Sequence, residues 1–286
     1  MSFVVASVPT EAWLRQVVLD AGTLTLQHFR KNLRQIQKPD HQGIVTEADL
    51  ATEAFLKQTI LDSYPDSRFL AEESTAADVW GPEGYSQEAR RALGHRLLWI
   101  IDPIDGTTNF AKGNIHYCVS VAVGRFGTDG QWVTELGCVH QPATGDTYWA
   151  RRGHGSWLNG QVLRVGPASP MASACFCTGF GYQTGHKLEQ IIRASAALKD
   201  VSLGLRINGA AALDIAQTAA GRFDGFFEPR LMPWDIAAGA IIAQEAGLLV
   251  RTLKGEAYSV LDHSSVVVSH PDLLDSFLGI IQSHIH

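Results

Sequence analysis

Residues 97–110 constrain this chain more than any other stretch. Leu97-Leu98-Trp99-Ile100-Ile101 is an unbroken apolar run of buried-strand length. Asp102-Pro103-Ile104-Asp105-Gly106-Thr107-Thr108-Asn109-Phe110 follows it directly. Pro103 has no N–H and fixes its own φ, so the strand is expected to end at Asp102. Asp105 then falls in a loop, backed by Gly106 and two hydroxyl residues. Asp-Gly by itself marks an ordinary turn. A plain turn does not account for a second aspartate or for Thr-Thr-Asn. Two carboxylates beside a Gly and free N–H groups suit a hard cation and a phosphate together.

Composition narrows the class. With 286 residues and 45% hydrophobic content there is material for a sizeable core. Net charge is -6 with no long basic run, so a nucleic-acid partner or an anionic membrane surface is not expected. Residues 1–10 are apolar but lack a basic flank, and no run approaches ~18 apolar residues. A cytoplasmic protein without membrane spans is the expectation. Cys118, Cys138, Cys175 and Cys177 match neither a redox pair nor a zinc site, and read as buried free thiols.

Along the chain, Thr10 caps a helix through Trp13, Val17, Val18, Ala21, Leu24 and Phe29. Lys38-Pro39-Asp40 breaks the pattern and Gln42-Gly43 marks a turn. Thr46 and Asp49 have capping-box spacing at the start of a second helix, whose buried face reads as Leu50, Phe55, Leu56, Ile60 and Leu61. A short strand at 68–71 leads to Glu72-Glu73-Ser74. Residues 75–96 form an aperiodic excursion, with a loop at Gly81-Pro82-Glu83-Gly84 and a short helix at 86–93 ended by Gly94. It reads equally as a flap near the site or as a surface excursion. Strands at 117–123, 132–139, 147–150 and 162–165, with turns at 127–130 and Asn159-Gly160, form an antiparallel meander. Beyond it strands and helices alternate. Strands are expected at 175–178, 205–207, 225–227 and 266–269, with helices at 187–198, 210–220, from Trp234 to Gly247, and at 271–281. The expected organisation is one domain, with an α+β half over about 1–165 and an α/β half over about 166–286.

Glu72, Asp102, Asp105 and Asp235 each stand at a strand end or helix start, where a site can be held rigidly. Four carboxylates without a Cys or His at ligand spacing favour Mg²⁺ or Mn²⁺ over zinc. Two such ions ~3.5–4 Å apart can clamp the attacking and leaving oxygens of phosphoryl transfer.

Trp99 to Phe110 resembles the first signature of the inositol monophosphatases. Trp234-Asp-Ile-Ala-Ala-Gly239 through Glu245-Ala-Gly247 resembles the second, and Ala71-Glu-Glu-Ser74 the Gly-Glu-Glu-Ser segment before them. The resemblance implies a Mg²⁺-dependent, lithium-sensitive phosphomonoesterase with a layered αβαβα sandwich, usually a homodimer. By motif, Glu72, Asp102 and the Ile104 carbonyl hold one Mg²⁺. Asp102, Asp105 and Asp235 hold a second, and a third lies near Glu72. Thr107 with Asp49 activates the attacking water, Glu73 supports them, and the N–H groups of Gly106 and Thr107 bind phosphate. Asp105 and Asp235 also face the substrate. Gly209, Ala210, Ala211 and Glu228 match segments that touch inositol hydroxyls. Met232 and Pro233 replace a His and a Cys found in some members, so the substrate wall differs there. Thr108-Asn109 in place of Lys-Glu argues against 3′-phosphoadenosine 5′-phosphate.

The leading expectation is hydrolysis of a small phosphorylated polyol such as myo-inositol 1-phosphate. A histidinol-phosphate or fructose-1,6-bisphosphate phosphatase shares the metal site and differs in the wall. A non-catalytic metal-binding scaffold for a protein or RNA partner is the alternative of another class.

Overall fold

The computed structural model describes residues 7–38, 43–74, 80–81, 84–93, 96–127, 130–181, 183–262 and 264–285. The expected turns at Pro39-Asp40 and Gln42, at Pro82-Glu83 and at Thr128-Asp129, the helix stop at Gly94, and residues 75–79 of the excursion lie outside them.

The chain begins with α1 (Glu11–His28), β1 (Gln35–Gln37), β2 (Ile44–Thr46) and α2 (Glu47–Ser63). Next come β3 (Arg68–Ala71), the short pair β4 (Trp80–Gly81) and β5 (Gly84–Tyr85), and α3 (Gln87–Leu93). Then follow β6 (Leu98–Asp105), α4 (Thr107–Ala111), β7 (Cys118–Phe126) and β8 (Trp132–Gln141). The meander ends with β9 (Asp146–Arg151), β10 (Gly155–Leu158) and β11 (Gln161–Leu163). The second half runs β12 (Cys175–Thr178), α5 (Gly185–Val201), β13 (Gly204–Ile207), α6 (Ala211–Ala219) and β14 (Gly225–Glu228). It closes with α7 (Pro233–Ala246), β15 (Leu249–Arg251), β16 (Val266–Ser269) and α8 (Pro271–Gln282).

Seven strands form one sheet in the order β11-β10-β9-β8-β7-β6-β3, antiparallel except for the β3–β6 pair. Five form a second, β13-β12-β14-β16-β15, parallel around β12 and antiparallel around β16. The period of two along each strand shows how the sheets stack. Trp99 and Ile101 of β6 pack with Leu14, Val18, Leu56 and Ile60 of α1 and α2. Leu98 and Ile100 point the other way, into a core with α6 and α7. That core also takes Cys177, Phe226, Val266 and Val268 from the second sheet. Phe176, Phe227 and Val267 face outward, against Ile191, Leu198, Phe277 and Ile281 of α5 and α8. The layers are therefore α1/α2, sheet, α6/α7, sheet, α5/α8, the expected αβαβα sandwich. Helix α7 lies in the middle layer and is buried over nearly all its length, as a helix apolar on every side must be.

Three local expectations are corrected. Strand β6 does not end at Asp102 but runs through Pro103 to Asp105. Asp102 pairs with Ser120 and Asp105 with Cys118, so three steps on β6 match two on β7. This bulge absorbs the residue that cannot donate. It also changes the phase of the strand. Residues three apart would normally face opposite sides of a sheet, and the extra residue returns both aspartates to one side. Second, Leu50 and Leu61 are exposed, at 47% and 37%. The buried face of α2 is Ala48, Asp49, Thr52, Glu53, Leu56 and Ile60, half of it polar. Third, Cys175 is half-buried, whereas the other three thiols are buried.

Glu245, within the second signature, acts at a distance from the acids. Its two carboxylate oxygens accept the N–H groups of Gly153 and Gly155, each at 2.9 Å, tying α7 to the β9–β10 turn. Glu245→Ala removes both bonds and should lower stability by about 1–3 kcal/mol, read by thermal melting.

His140 supplies a pH handle remote from the acids. It is 5% exposed, with Nδ1 2.9 Å from Thr147 Oγ1 and 3.1 Å from the Asp146 carbonyl. Burial holds its imidazole below the usual range. The unfolded chain takes up that proton below about pH 6.5 and the folded chain only at lower pH. Stability present above that pH is therefore lost as the pH falls through the folded value. Relative to the wild type, His140→Gln should gain stability as the pH falls from about 7 to 5, read as the difference between the two melting-temperature profiles.

No helix among the described residues is long and apolar enough to cross a membrane.

Candidate active site

The acids converge where β6, α2, α6 and α7 meet. One carboxylate oxygen from each of Asp102, Asp105 and Asp235 lies within 4.8 Å of the other two. Each acid is held from its own side by backbone N–H. Asp102 Oδ1 accepts from Ile104 at 3.0 Å, and Asp235 Oδ2 accepts from Met232 at 2.7 Å. Met232 thus precedes α7 as its cap, and Pro233 occupies the first helical position, where a missing N–H costs nothing. Asp105 reaches furthest. Its two oxygens accept from Ala211, Ala212 and Leu213 at 3.2, 2.8 and 3.3 Å. An aspartate from β6 thereby caps α6, where the helix presents its unpaired N–H groups. Within the 209–211 segment expected at the substrate, the Ala211 N–H is already engaged by Asp105.

Asp49 plays two parts at once. Its Oδ2 accepts from the Thr46 N–H and hydroxyl at 2.8 and 2.5 Å, closing the capping box. Its Oδ1 lies 3.1 Å from Thr107 Oγ1, which is also 3.1 Å from the Ile104 carbonyl. Burial raises the Asp49 carboxyl to about 6 against the opposing Thr46 bonds. Thr107 opens α4 directly after Gly106, whose φ is 87°. A Cβ at Gly106 would lie 3.1 Å from Ala210 Cβ, the Gly209 carbonyl and the His116 carbonyl. Gly106→Ala should cost about 1–2 kcal/mol from backbone conformation alone. It should also lower turnover, which melting and kinetic measurements together will show.

Glu72 and Glu73 are bridged by Lys38, whose Nζ lies 2.6 Å from Glu72 Oε1 and 2.8 Å from Glu73 Oε1. Burial opposes the Lys38 charge, but the two glutamates outweigh it and raise the ammonium pKa. Burial and neighbouring Glu72 lift the Glu73 carboxyl to about 7. Glu72 also stands against Asp102 and raises it. Nothing in the sequence singled out Lys38, because one lysine before a Pro-Asp turn carries no periodic signal.

Asn109, read from the sequence for its bearing on substrate, has a structural task. Its Nδ2 donates to the His116 and Asn208 carbonyls at 2.8 and 2.7 Å, clamping α4 to the turn before α6. The clamp accounts for Asn109 without reference to substrate. Asn208 and His116 both meet Asp214 Oδ1, at 2.9 Å each.

Glu228 ends β14 and is 5% exposed. Its carboxylate lies against Gly179, where a Cβ would come within 2.2 Å of Oε2. Burial first, then Asp235 and Asp105, push its pKa well up.

Burial and mutual repulsion likewise raise Asp102 and Asp235, and burial lifts Asp105 to about 7. Among the described hydrogen bonds, these three accept only from N–H and S–H donors. Burial and mutual repulsion outweigh the nearby Lys38 and His116, and oxygen donors this close and this poorly neutralised fit a hard divalent cation.

The comparisons identify the family and the fold. The model of the inositol monophosphatase family matches residues 9–286. A Vibrio cholerae protein called Nus factor SuhB is 36% identical over 260 residues, covering 89% of this chain and 90% of its own length. The Thermotoga maritima IMPase structure superposes with a TM-score of 0.80 at 28% identity, covering 95% and 96% of the two chains. An IMPase/NADP phosphatase solved with Mg²⁺ and phosphate gives 0.73 at 26% identity, covering 94% and 92%. This chain belongs to the inositol monophosphatase family.

Proposed function

We propose that this chain hydrolyses a small polyol phosphate monoester, with myo-inositol 1-phosphate as first choice. The observation that carries the reading is the convergence of Asp102, Asp105 and Asp235 beside the Asp49–Thr107 pair. In this reading Glu72, Asp102 and the Ile104 carbonyl hold one Mg²⁺, and Asp102, Asp105 and Asp235 a second. A third sits more weakly near Glu72, and Mn²⁺ can substitute. Bound Mg²⁺ neutralises charge on the phosphate and lowers the pKa of a water ligand. The Thr107 hydroxyl points its proton at Asp49, which leaves its lone pairs to orient the attacking water. As that water attacks phosphorus it gives a proton to Thr107 Oγ1 while Asp49 takes the Thr107 proton. The ester P–O bond breaks, the departing alkoxide is protonated from water, and Glu73 supports the pair. The Gly106 and Thr107 amides bind the phosphate. Glu228 and the 209–211 turn receive the polyol hydroxyls. Lithium sensitivity, a homodimer and a cytoplasmic location belong to the same proposal.

A phosphate-release panel tests it, comparing myo-inositol 1-phosphate, histidinol phosphate and fructose 1,6-bisphosphate over a Mg²⁺ titration with and without Li⁺. The highest kcat/KM should fall on the inositol ester. A higher value on either competitor would reassign the substrate.

The name of the sequence relative supports a second reading. It is called a Nus factor, not a phosphatase, so the expectation against a nucleic-acid partner gains nothing from it. In that reading the chain serves as a factor of the same kind, with or without hydrolysis. Release at background level with every panel substrate would favour it.

A further inference from the structure

We infer that Glu53 is a positioning residue that sets the direction of Glu72. Glu53 lies one helical turn beyond Asp49 on the buried face of α2 and is 4% exposed. A carboxylate so deeply buried is costly unless it is fully bonded. Two of its donors come from the 72–74 turn. Glu53 Oε2 accepts the Glu73 N–H at 2.9 Å, and Oε1 accepts the Ser74 hydroxyl. Lys57 Nζ lies 3.1 Å from the same Oε1, donates to Ser74 Oγ and stacks over the Phe69 ring. Glu53, Ser74 and Lys57 thus close a ring around the end of the 72–74 turn.

The other end of that turn is fixed by the sheet, where the Glu72 N–H donates to the Ile101 carbonyl at 3.1 Å. Glu72 is therefore held on both sides, by β6 before it and by α2 after it. An i,i+4 Glu–Lys pair on an exposed helix face contributes only about 0.3–0.5 kcal/mol, too little to justify burying the acid. The geometry of the turn is what the burial secures. One rigid helix thereby ties Asp49, which holds Thr107, to the segment that aims Glu72 at Asp102. The inference rests on the reading of Glu72 as a metal ligand.

The test uses the full chain, stripped of metal, with Mg²⁺ binding followed by calorimetry and amide exchange followed across residues 71–74. Glu53→Ala should weaken Mg²⁺ binding about 10- to 100-fold and speed exchange in that segment. Glu53→Gln should restore most of both, because the amide oxygen still accepts the Glu73 N–H. Ser74→Ala removes one hydroxyl only, and should give a smaller loss in the same direction if Glu53→Ala fails to fold. A Glu53→Ala protein that melts earlier but binds Mg²⁺ as wild type does would overturn the inference, as would wild-type affinity in Ser74→Ala. Glu72→Gln separates the two levels. If it binds Mg²⁺ like the wild type, the metal-ligand reading fails and the inference falls with it. If it weakens binding while the Glu53 variants do not, only the inference fails.

Discussion

Asp102→Asn should lower Mg²⁺-dependent phosphate release at least about a thousandfold, a loss of ~4 kcal/mol in transition-state stabilisation. Asp102 is 1% exposed, belongs to the carboxylate group with Asp105 and Asp235, and is assigned here to both ions. The fold should survive, because an Asn oxygen still accepts the Ile104 N–H. The sign of the stability effect is distinctive. Burial, Glu72, Asp105 and Asp235 all disfavour the charged form of Asp102. A neutral amide relieves that repulsion, so the metal-free variant should melt at a higher temperature than the metal-free wild type. Added Mg²⁺ should raise the wild-type melting temperature and do little for the variant. Near wild-type turnover would remove the assignment of Asp102 and the proposed chemistry with it.

Thr107→Ala is the second large effect, with a different signature. Thr107 Oγ1 touches Asp49 and the Ile104 carbonyl, and no carboxylate of the metal group depends on it. Loss of the hydroxyl should lower kcat by about 10²–10⁴, the range for a positioned proton-transfer group. Mg²⁺ affinity from calorimetry should change little. Equal losses in turnover and Mg²⁺ affinity would make Thr107 a structural residue of the α4 start.

The parts of the molecule legible in the sequence are those that local chemistry specifies. The Ala-rich runs stopped by Gly221 and Gly247 gave α6 and α7 nearly to the residue, and Thr46 with Asp49 marked the α2 cap. The resemblance of residues 99–110 and 234–247 to the two inositol monophosphatase signatures placed Asp102, Asp105 and Asp235 in one site, and one carboxylate oxygen of each does converge. What could not be read depends on partners far along the chain. Pro103 ends a strand by local rules, yet β7 tolerates it through a register shift. On α2 the apolar residues Leu50 and Leu61 look like core, whereas the buried face carries Asp49 and Glu53 because their bonds reach other segments. Lys38 and Glu53 each satisfy groups on the 72–74 turn, a contact that leaves no periodicity behind. Strands β1, β10 and β15 are three or four residues long and exist through their neighbours.

The capping of α6 by Asp105 has a consequence for how the protein is made. A chain emerging from the ribosome completes β6 long before residues 211–213 or Asp235 exist. Until α6 forms, Asp105 lacks the three amides that orient it, and until α7 docks the third acid is missing. Contacts this distant in sequence form late, after the loop between them has closed. Tight metal capture should therefore arise only in the finished fold. A stalled chain ending before α6 should take up Mg²⁺ no better than scattered carboxylates do, which makes metal affinity a reporter of completed synthesis and folding.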